Sequence, residues 1–158
     1  LPGKSYSRII VVQILYILNL SNEEIKQLTD ESIDKYITNI RKFYDDEKSD
    51  DFELIEVIKN KTKRSFVKSI LKSLSENIEV IDQTLVDSLV NKSSWQRVHI
   101  LIKSILRAAI AEFVYLETTR KVLIDEYVSI ARSFFANKEI DFVNATLDNI
   151  TKSLDQKK

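Results

Sequence analysis

The chain contains one glycine and one proline among its 158 residues, and both lie at the N-terminus, as Gly3 and Pro2. Turns with positive φ recruit glycine, and proline is typical of turns and strand edges. A chain almost without these residues is poor in the tight turns that connect β-strands. The sequence therefore predicts an all-α fold, and its length suits one domain or two small subdomains that share a core.

Apolar residues recur at helical spacing in about seven segments. A capping-box pattern, "SNEE", begins at Ser21 and predicts a helix start there. The stretch 45–51 is charged and predicts a loop, and the most apolar helix is expected to be central. The predicted helices cover residues 5–20, 21–44 with a break near 29–30, 52–60, 63–84, 95–116, 122–135 and 138–154.

Composition excludes most kinds of catalytic centre. The sequence has no cysteine and one histidine, His99, so it offers no disulfide, no thiolate and no zinc site with several histidines. A single glycine cannot form a phosphate-binding loop. Neighbouring acids such as Asp125 and Glu126 diverge by about 100° on a helix, so they do not converge on one atom. We predict a binding protein without cofactor or metal, and not an enzyme.

The apolar run 9–20 is broken by Gln13 and Asn19 and lacks the small-residue cleavage site of a signal peptide. It is also shorter than the roughly 20 residues of a membrane span. The sequence predicts a cytoplasmic protein with no membrane segment.

Charge is segregated along a chain whose 24 basic and 24 acidic residues cancel. Residues 23–56 contain 12 acidic and 5 basic residues, a net of −7. Residues 59–72 contain six basic residues and 92–107 contain four, and neither segment contains an acid. Any one lysine is most simply a solvated surface residue. Two acid-free basic segments still favour a positive face for a polyanion.

Four sequence blocks, in chain order, resemble one family. The first, SRIIVVQILYILNLS, is similar to A-R-x-x-A-x-Q-A-L-Y-x-x-x-L-S at Arg8, Gln13, Tyr16, Leu20 and Ser21. The second, FVKSILKSLSENIEVID over 66–82, resembles F-V-x-x-L-V-x-G-V-x-x-N-x-x-x-L-D. The third, SILRAAIAEF over 104–113, resembles A-I-L-R-L-A-x-Y-E-L at Leu106, Arg107, Ala109 and Glu112.

The fourth block, VLIDEYVSIARSFFANKEIDFVNATLDNI, has two parts joined by a short polar break. They resemble V-A-I-N-E-A-V-E-L-A-K-x-F-G and F-V-N-G-V-L-D. The matching residues are Val122, Ile124, Glu126, Val128, Ala131, Arg132 and Phe134, then Phe142, Val143, Asn144, Leu147 and Asp148. From Lys4 to Ile150 the chain thus resembles the NusB family of transcription antitermination factors.

The resemblance implies a single NusB-like all-α domain over residues 1–158, built as two perpendicular helical bundles. It implies binding to the boxA element of nascent ribosomal RNA together with NusE, a ribosomal protein that doubles as a transcription factor. The assembly would then act on RNA polymerase elongation complexes and suppress premature termination.

Charge, ring chemistry and the resemblance together give two sets of expected site residues. Lys4 and Arg8 are i, i+4 neighbours, so they share one face of the exposed start of the first helix. Lys63, Arg64 and Lys68 would add to that face if their segment borders the first helix. The expected RNA-binding residues are Lys4, Tyr6, Arg8, Gln13, Tyr16, Lys63, Arg64 and Lys68. The expected partner-binding residues are Tyr16, Glu76, Asn77, Arg107 and Glu112.

Several of these residues also have a purely structural interpretation. Arg107 and Glu112 are first interpreted as an internal polar network, and Asn144 as a helix-start hydrogen-bonding group or an interhelical clamp. The family's basic N-terminal run is reduced here to Lys4 and Arg8, and Phe135 stands where the family ends a helix with glycine. The alternative function is a protein-interaction module that binds NusE or forms a homodimer, with RNA binding weak or lost. A helical domain preceding an RNA methyltransferase is a weaker alternative, because these residues include no Gly-rich cofactor loop.

Overall fold

Six α-helices make up most of this computed structural model, which describes residues 3–46 and 62–156. Two short 3-10 helices lie between them, and the described ranges contain no β-strand. The predicted helix 52–60 lies outside these ranges, as does most of the predicted loop 45–51. The α-helices are α1 (Gly3–Leu20), α2 (Asp30–Asp46), α3 (Arg64–Asp87), α4 (Ile100–Tyr115), α5 (Arg120–Phe134) and α6 (Asn137–Gln156).

The segment after α1 differs from its prediction. Ser21 does not cap a helix; its hydroxyl donates to the Ile17 carbonyl at 2.9 Å. A 3-10 helix, Ile25–Gln27, follows, and α2 begins only at Asp30. The reciprocal bonds of a capping box form instead at Thr29 and Ser32, where each hydroxyl accepts from the other residue's N–H, at 3.1 and 2.9 Å. The predicted break near 29–30 is therefore a helix start.

The predicted helix 95–116 is divided in the same way. A 3-10 helix covers Lys92–Arg97, and α4 starts at Ile100. His99, expected in mid-helix, is the N-cap of α4, where its Nδ1 accepts from the Leu101 N–H at 3.0 Å. The cap satisfies one of the backbone donors that a helix start leaves unpaired.

The α5–α6 junction closes without glycine. Phe135 is extended, with φ −132° and ψ 163°, and its N–H still donates to the Ala131 carbonyl at 2.9 Å. Because no residue here needs the left-handed region, a phenylalanine ends the helix at no conformational cost. Its ring packs edge-on against His99, with 5.4 Å between the ring centroids.

One hydrophobic core draws on all six helices, and α4 lies at its centre. Helix α4 contacts α1, α3, α5 and α6, and ten of its 16 residues are buried. The core side chains buried most completely include Ile10, Ile14, Ile37, Ile70, Leu74, Ile105 and Tyr127. The all-α fold class is confirmed for the described residues.

Candidate nucleic-acid interface

The N-terminal turns of α1 and α3 meet on the surface. The Lys4 ammonium lies 5.2 Å from the centroid of the Phe66 ring. The Lys63 N–H donates to the Ser7 hydroxyl at 2.8 Å, and that hydroxyl donates to the Gly3 carbonyl at 2.8 Å. The described part of the basic segment 59–72 therefore borders the first helix, which is the arrangement that its predicted role requires.

We use the name α1–α3 basic surface for the cations at the start of α1 and along the first turns of α3: Lys4, Lys63, Arg64, Lys68 and Lys72. Lys4, Lys63 and Lys72 are exposed, whereas Arg64, Lys68 and the Phe66 ring are partly buried. Ammonium and guanidinium groups neutralise phosphates, and an aromatic ring can stack on a base. The area thus has the chemistry that single-stranded RNA requires.

Helix α2 places a carboxylate beside this surface. Asp34 accepts from the Arg64 Nη1 at its Oδ1, at 2.9 Å, and from the Lys68 Nζ at its Oδ2, at 3.1 Å. The hydrogen bond from Lys68 lowers the pKa of Asp34, against a smaller opposing effect of burial, and Arg64 lowers it further. Asp34 therefore stays ionised at neutral pH. No sequence pattern predicts this acid at the site, because it lies 30 residues from Arg64.

The expectation that Arg8 and Tyr6 lie exposed is wrong. Arg8 is 3% exposed and Tyr6 is 5% exposed. The guanidinium of Arg8 donates from Nε and Nη2 to the two oxygens of Glu112, at 2.7 and 2.9 Å. Its Nη1 lies 3.0 Å from Glu126 Oε1. Glu112 is fully buried, and a buried carboxylate needs a counter-charge, so Arg8 turns inward.

The ion pair belongs to a network that joins α1, α4 and α5. The Tyr127 hydroxyl donates to Glu112 at 3.1 Å, and the Ser5 hydroxyl donates to Glu126 at 2.7 Å. Burial lowers the pKa of Arg8, but the hydrogen bond and charge of Glu112 outweigh it and the net shift is upward. Burial, then the charge of Glu112, raises the pKa of Tyr127 well above its usual range. The network fixes the start of α1 on the bundle.

The expected partner-binding residues divide between surface and interior. Glu112 is fully buried, so the expectation that it contacts a partner is wrong, and its interpretation as part of an internal network fits. Arg107 holds Asp82 through two hydrogen bonds of 2.7 and 2.9 Å that tie α4 to α3. Glu76 is exposed, and Tyr16 and Asn77 are partly buried, as is Gln13 of the RNA-binding set.

A groove of about 340 Å³ lies between α1, the first 3-10 helix and α3. Arg107 lines it together with apolar residues, among them Leu15, Leu18 and Ile78. An ion pair between Lys26 and Glu79 connects the 3-10 helix to α3 beside it. The groove is therefore lined by both apolar and charged side chains.

The second basic segment is largely engaged within the protein. Lys103 Nζ and Arg107 Cζ lie 5.1 and 5.9 Å from the centroid of the Trp95 ring. Burial, followed by the charge of Arg107, lowers the pKa of Lys103. Lys92 lies 3.4 Å from an oxygen of Asp87. Among the residues that the structure describes, this segment has fewer unpaired cations than the α1–α3 basic surface.

The last two helices explain the phenylalanine-rich fourth block. Val143 is fully buried in the core, and Asn144 is exposed. Phe142 is partly buried and lines a cleft of about 460 Å³ together with Arg97, His99 and Lys138. The block contributes other core residues as well, among them Leu123, Tyr127 and Leu147, and Phe142 adds a ring to a surface cleft.

Neither a metal cluster nor a membrane span is found in residues 3–46 and 62–156. Histidine and carboxylate side chains there do not group in threes as metal ligands. Helices within the same ranges lack the combination of length and apolar character needed to cross a bilayer.

Comparisons with known proteins find relatives over nearly the whole chain. The model of the NusB family matches residues 5–152. Transcription antitermination protein NusB of Rickettsia massiliae is 34% identical over 150 residues, which cover 94% of this chain and 91% of the relative. The same protein of Rickettsia bellii is 33% identical over 148 residues, covering 93% and 88%. A solved structure of T. maritima NusB aligns with a TM-score of 0.68 at 21% identity, over 96% of this chain and 92% of that one, and this likeness confirms the predicted fold.

Proposed function

The chain belongs to the NusB family of transcription antitermination proteins, and on that premise we propose that it binds boxA-like RNA through the α1–α3 basic surface. One observation carries the proposal. The start of α1 and the basic segment 59–72, about 60 residues apart in sequence, meet beside the Phe66 ring through the Lys4–Phe66 and Ser7–Lys63 contacts. Proteins that bind single strands combine such cations with stacking rings.

The proposed roles follow from exposure. Lys4, Lys63, Arg64 and Lys68 contact phosphates, because their charged ends reach solvent. Tyr6 and Arg8 act indirectly, since their buried side chains hold the first turns of α1 in place. No catalytic group is needed, and the function is binding.

The ribosomal protein NusE is the proposed partner, and the groove lined by Arg107 is its proposed docking region, with Tyr16, Glu76 and Asn77 nearby in sequence. Glu23, Glu24 and Glu79 line this groove together with Lys26 and Arg107, so it offers charged groups of both signs around an apolar lining. The RNA-bound pair would then join RNA polymerase elongation complexes. The second candidate is a protein-interaction module that binds NusE or forms a homodimer, favoured by the burial of Arg8, which removes one cation from the RNA-binding set.

The test is fluorescence anisotropy of a labelled boxA-like RNA titrated with the protein, alone and with its NusE partner. The informative variant reverses the charges of Lys4 and Lys63, two exposed residues, to glutamate. We expect at least a tenfold loss of RNA affinity, because two attractions become repulsions. Lys152→Glu on α6 is the control, since it reverses an exposed lysine elsewhere on the protein.

Equal affinity of the double variant and the wild type would reject the α1–α3 basic surface as the RNA site. Failure of the wild type to bind RNA in either condition, despite a stable complex with NusE, would favour the interaction module. A monomer–dimer equilibrium measured by sedimentation would distinguish NusE binding from self-association.

A further inference from the structure

The carboxylate of Asp34 joins two cations in the way that a bound phosphate would. Its two oxygens each take one cation, Arg64 at 2.9 Å and Lys68 at 3.1 Å. Arg64 and Lys68 are i, i+4 neighbours on α3, so their charged ends lie on one face of that helix. Two non-bridging phosphate oxygens would satisfy the same two donors.

The bridge is also exchangeable. The side chain of Asp34 is 44% exposed, and those of Arg64 and Lys68 are 40% and 28% exposed. An ion pair this accessible to water contributes little to stability, so an incoming anion can replace it. The network around Arg8 differs, because its carboxylate is fully buried and no ligand can reach it.

We propose that Arg64 and Lys68 form a phosphate-binding site on the α1–α3 basic surface and that Asp34 is its internal competitor. This inference rests on the proposed function, since it concerns how the same surface meets RNA. A phosphate that enters the site displaces Asp34, and the displaced carboxylate then repels it. The fold therefore limits the affinity of this surface for any polyanion.

Asp34→Asn removes the charge and keeps the shape of the side chain. Dissociation constants for boxA-like RNA and for inorganic polyphosphate are measured at two salt concentrations. We expect the variant to bind both about three- to fivefold more tightly at low salt, the size of effect that an exposed ion pair produces. The dependence of log K on log salt steepens by about 0.7, because one more phosphate releases its counterion.

Two controls separate this effect from net charge and from folding. Glu31→Gln makes the same change of net charge at an exposed position of α2, and less than a twofold gain is expected. In the Asp34→Asn background, Lys68→Gln should abolish most of the gain. Matching far-ultraviolet circular dichroism spectra would show that the variants fold as the wild type does.

Unchanged or weaker binding of polyphosphate by Asp34→Asn would overturn the inference. An equal gain of affinity in Glu31→Gln would do the same, as would failure of both the wild type and Asp34→Asn to bind polyphosphate. Weaker binding would instead make Asp34 a group that orients Arg64 and Lys68. If Asp34→Asn gains affinity for polyphosphate while neither it nor the wild type binds RNA, Asp34 is confirmed as a competitor of phosphate and the proposed RNA function is wrong.

Discussion

Arg8 matches the family pattern, but its position is decided by acids far away in the sequence. Glu112 lies 104 residues from it, and the arginine is buried against that carboxylate. Removing one member of a buried ion pair leaves the other charge without compensation. We expect Arg8→Ala to lower the free energy of unfolding by about 3–5 kcal/mol, measured by urea denaturation followed at 222 nm.

Lys4→Ala is the matched control on the same helix, because Lys4 is exposed. Its expected effect is within about 0.5 kcal/mol, as for most surface substitutions. If the two variants were equally stable, Arg8 would not be the structural residue described above.

Asp34 gives a prediction about pH. Its pKa in the folded protein is lowered, chiefly by the hydrogen bond from Lys68. A carboxyl group with a lowered pKa stabilises the fold above its unfolded pKa of about 3.9, and loses that contribution as the pH falls through the lower folded value. The stability difference between wild type and Asp34→Asn, from urea unfolding at pH 7, 5 and 3, should therefore be largest at neutral pH and smallest at pH 3. A constant difference would contradict the bridge.

Sequence reasoning identified these charged residues but not their partners. Arg8 carries no local sign of burial, because the carboxylate that pairs with it, Glu112, is 104 residues away in the sequence. Asp34 lies in an acidic stretch that reads as solvated surface. Such partnerships depend on the packing of whole helices, which periodicity within one segment does not encode.

At the scale of a single helix, His99 determines where α4 begins, because it is the N-cap of that helix. Its Nδ1 accepts from the Leu101 N–H, and replacing an N-cap acceptor with alanine costs about 0.5–2 kcal/mol. We expect His99→Ala to lose stability in that range by urea unfolding, and His99→Asn to recover most of it, because asparagine is a preferred cap. Equal losses in both variants would mean that the contact with Phe135 matters more than the cap.

Helix positions were predictable where the apolar stripe is continuous. Helices α1, α3, α5 and α6 end within about three residues of their predicted bounds, as expected for strongly periodic segments. The predictions were wrong at 21–29 and 95–99, where 3-10 helices interrupt the pattern. Polar side chains decide both places: Asn91 accepts from the Ser93 N–H at 3.1 Å, and Thr29 with Ser32 starts α2.

At the scale of the whole molecule, the segregation of charge along the chain was predictable from the sequence. Which of the two basic segments forms an open surface was not. The net charge of the chain is zero, but the six cations of residues 59–72 predicted a basic surface. That this segment meets α1 depends on contacts between the starts of α1 and α3, which no motif encodes. The second basic segment has similar composition, yet the structure engages it with Trp95 and Asp82. Composition therefore located two candidates, and packing selected one.

This selection predicts a definite salt dependence for a protein without net charge. If the five cations of the α1–α3 basic surface meet three to five phosphates of a single strand, log K should fall against log salt with a slope of about −2 to −3.5. Lys4→Gln with Lys63→Gln should reduce that slope by about 1.4, whereas Lys152→Gln should leave it unchanged. Anisotropy titrations at four salt concentrations measure the three slopes. A slope near zero with measurable affinity would mean that phosphates are not the main contact, because a net charge of zero can attract a polyanion only through a local concentration of cations.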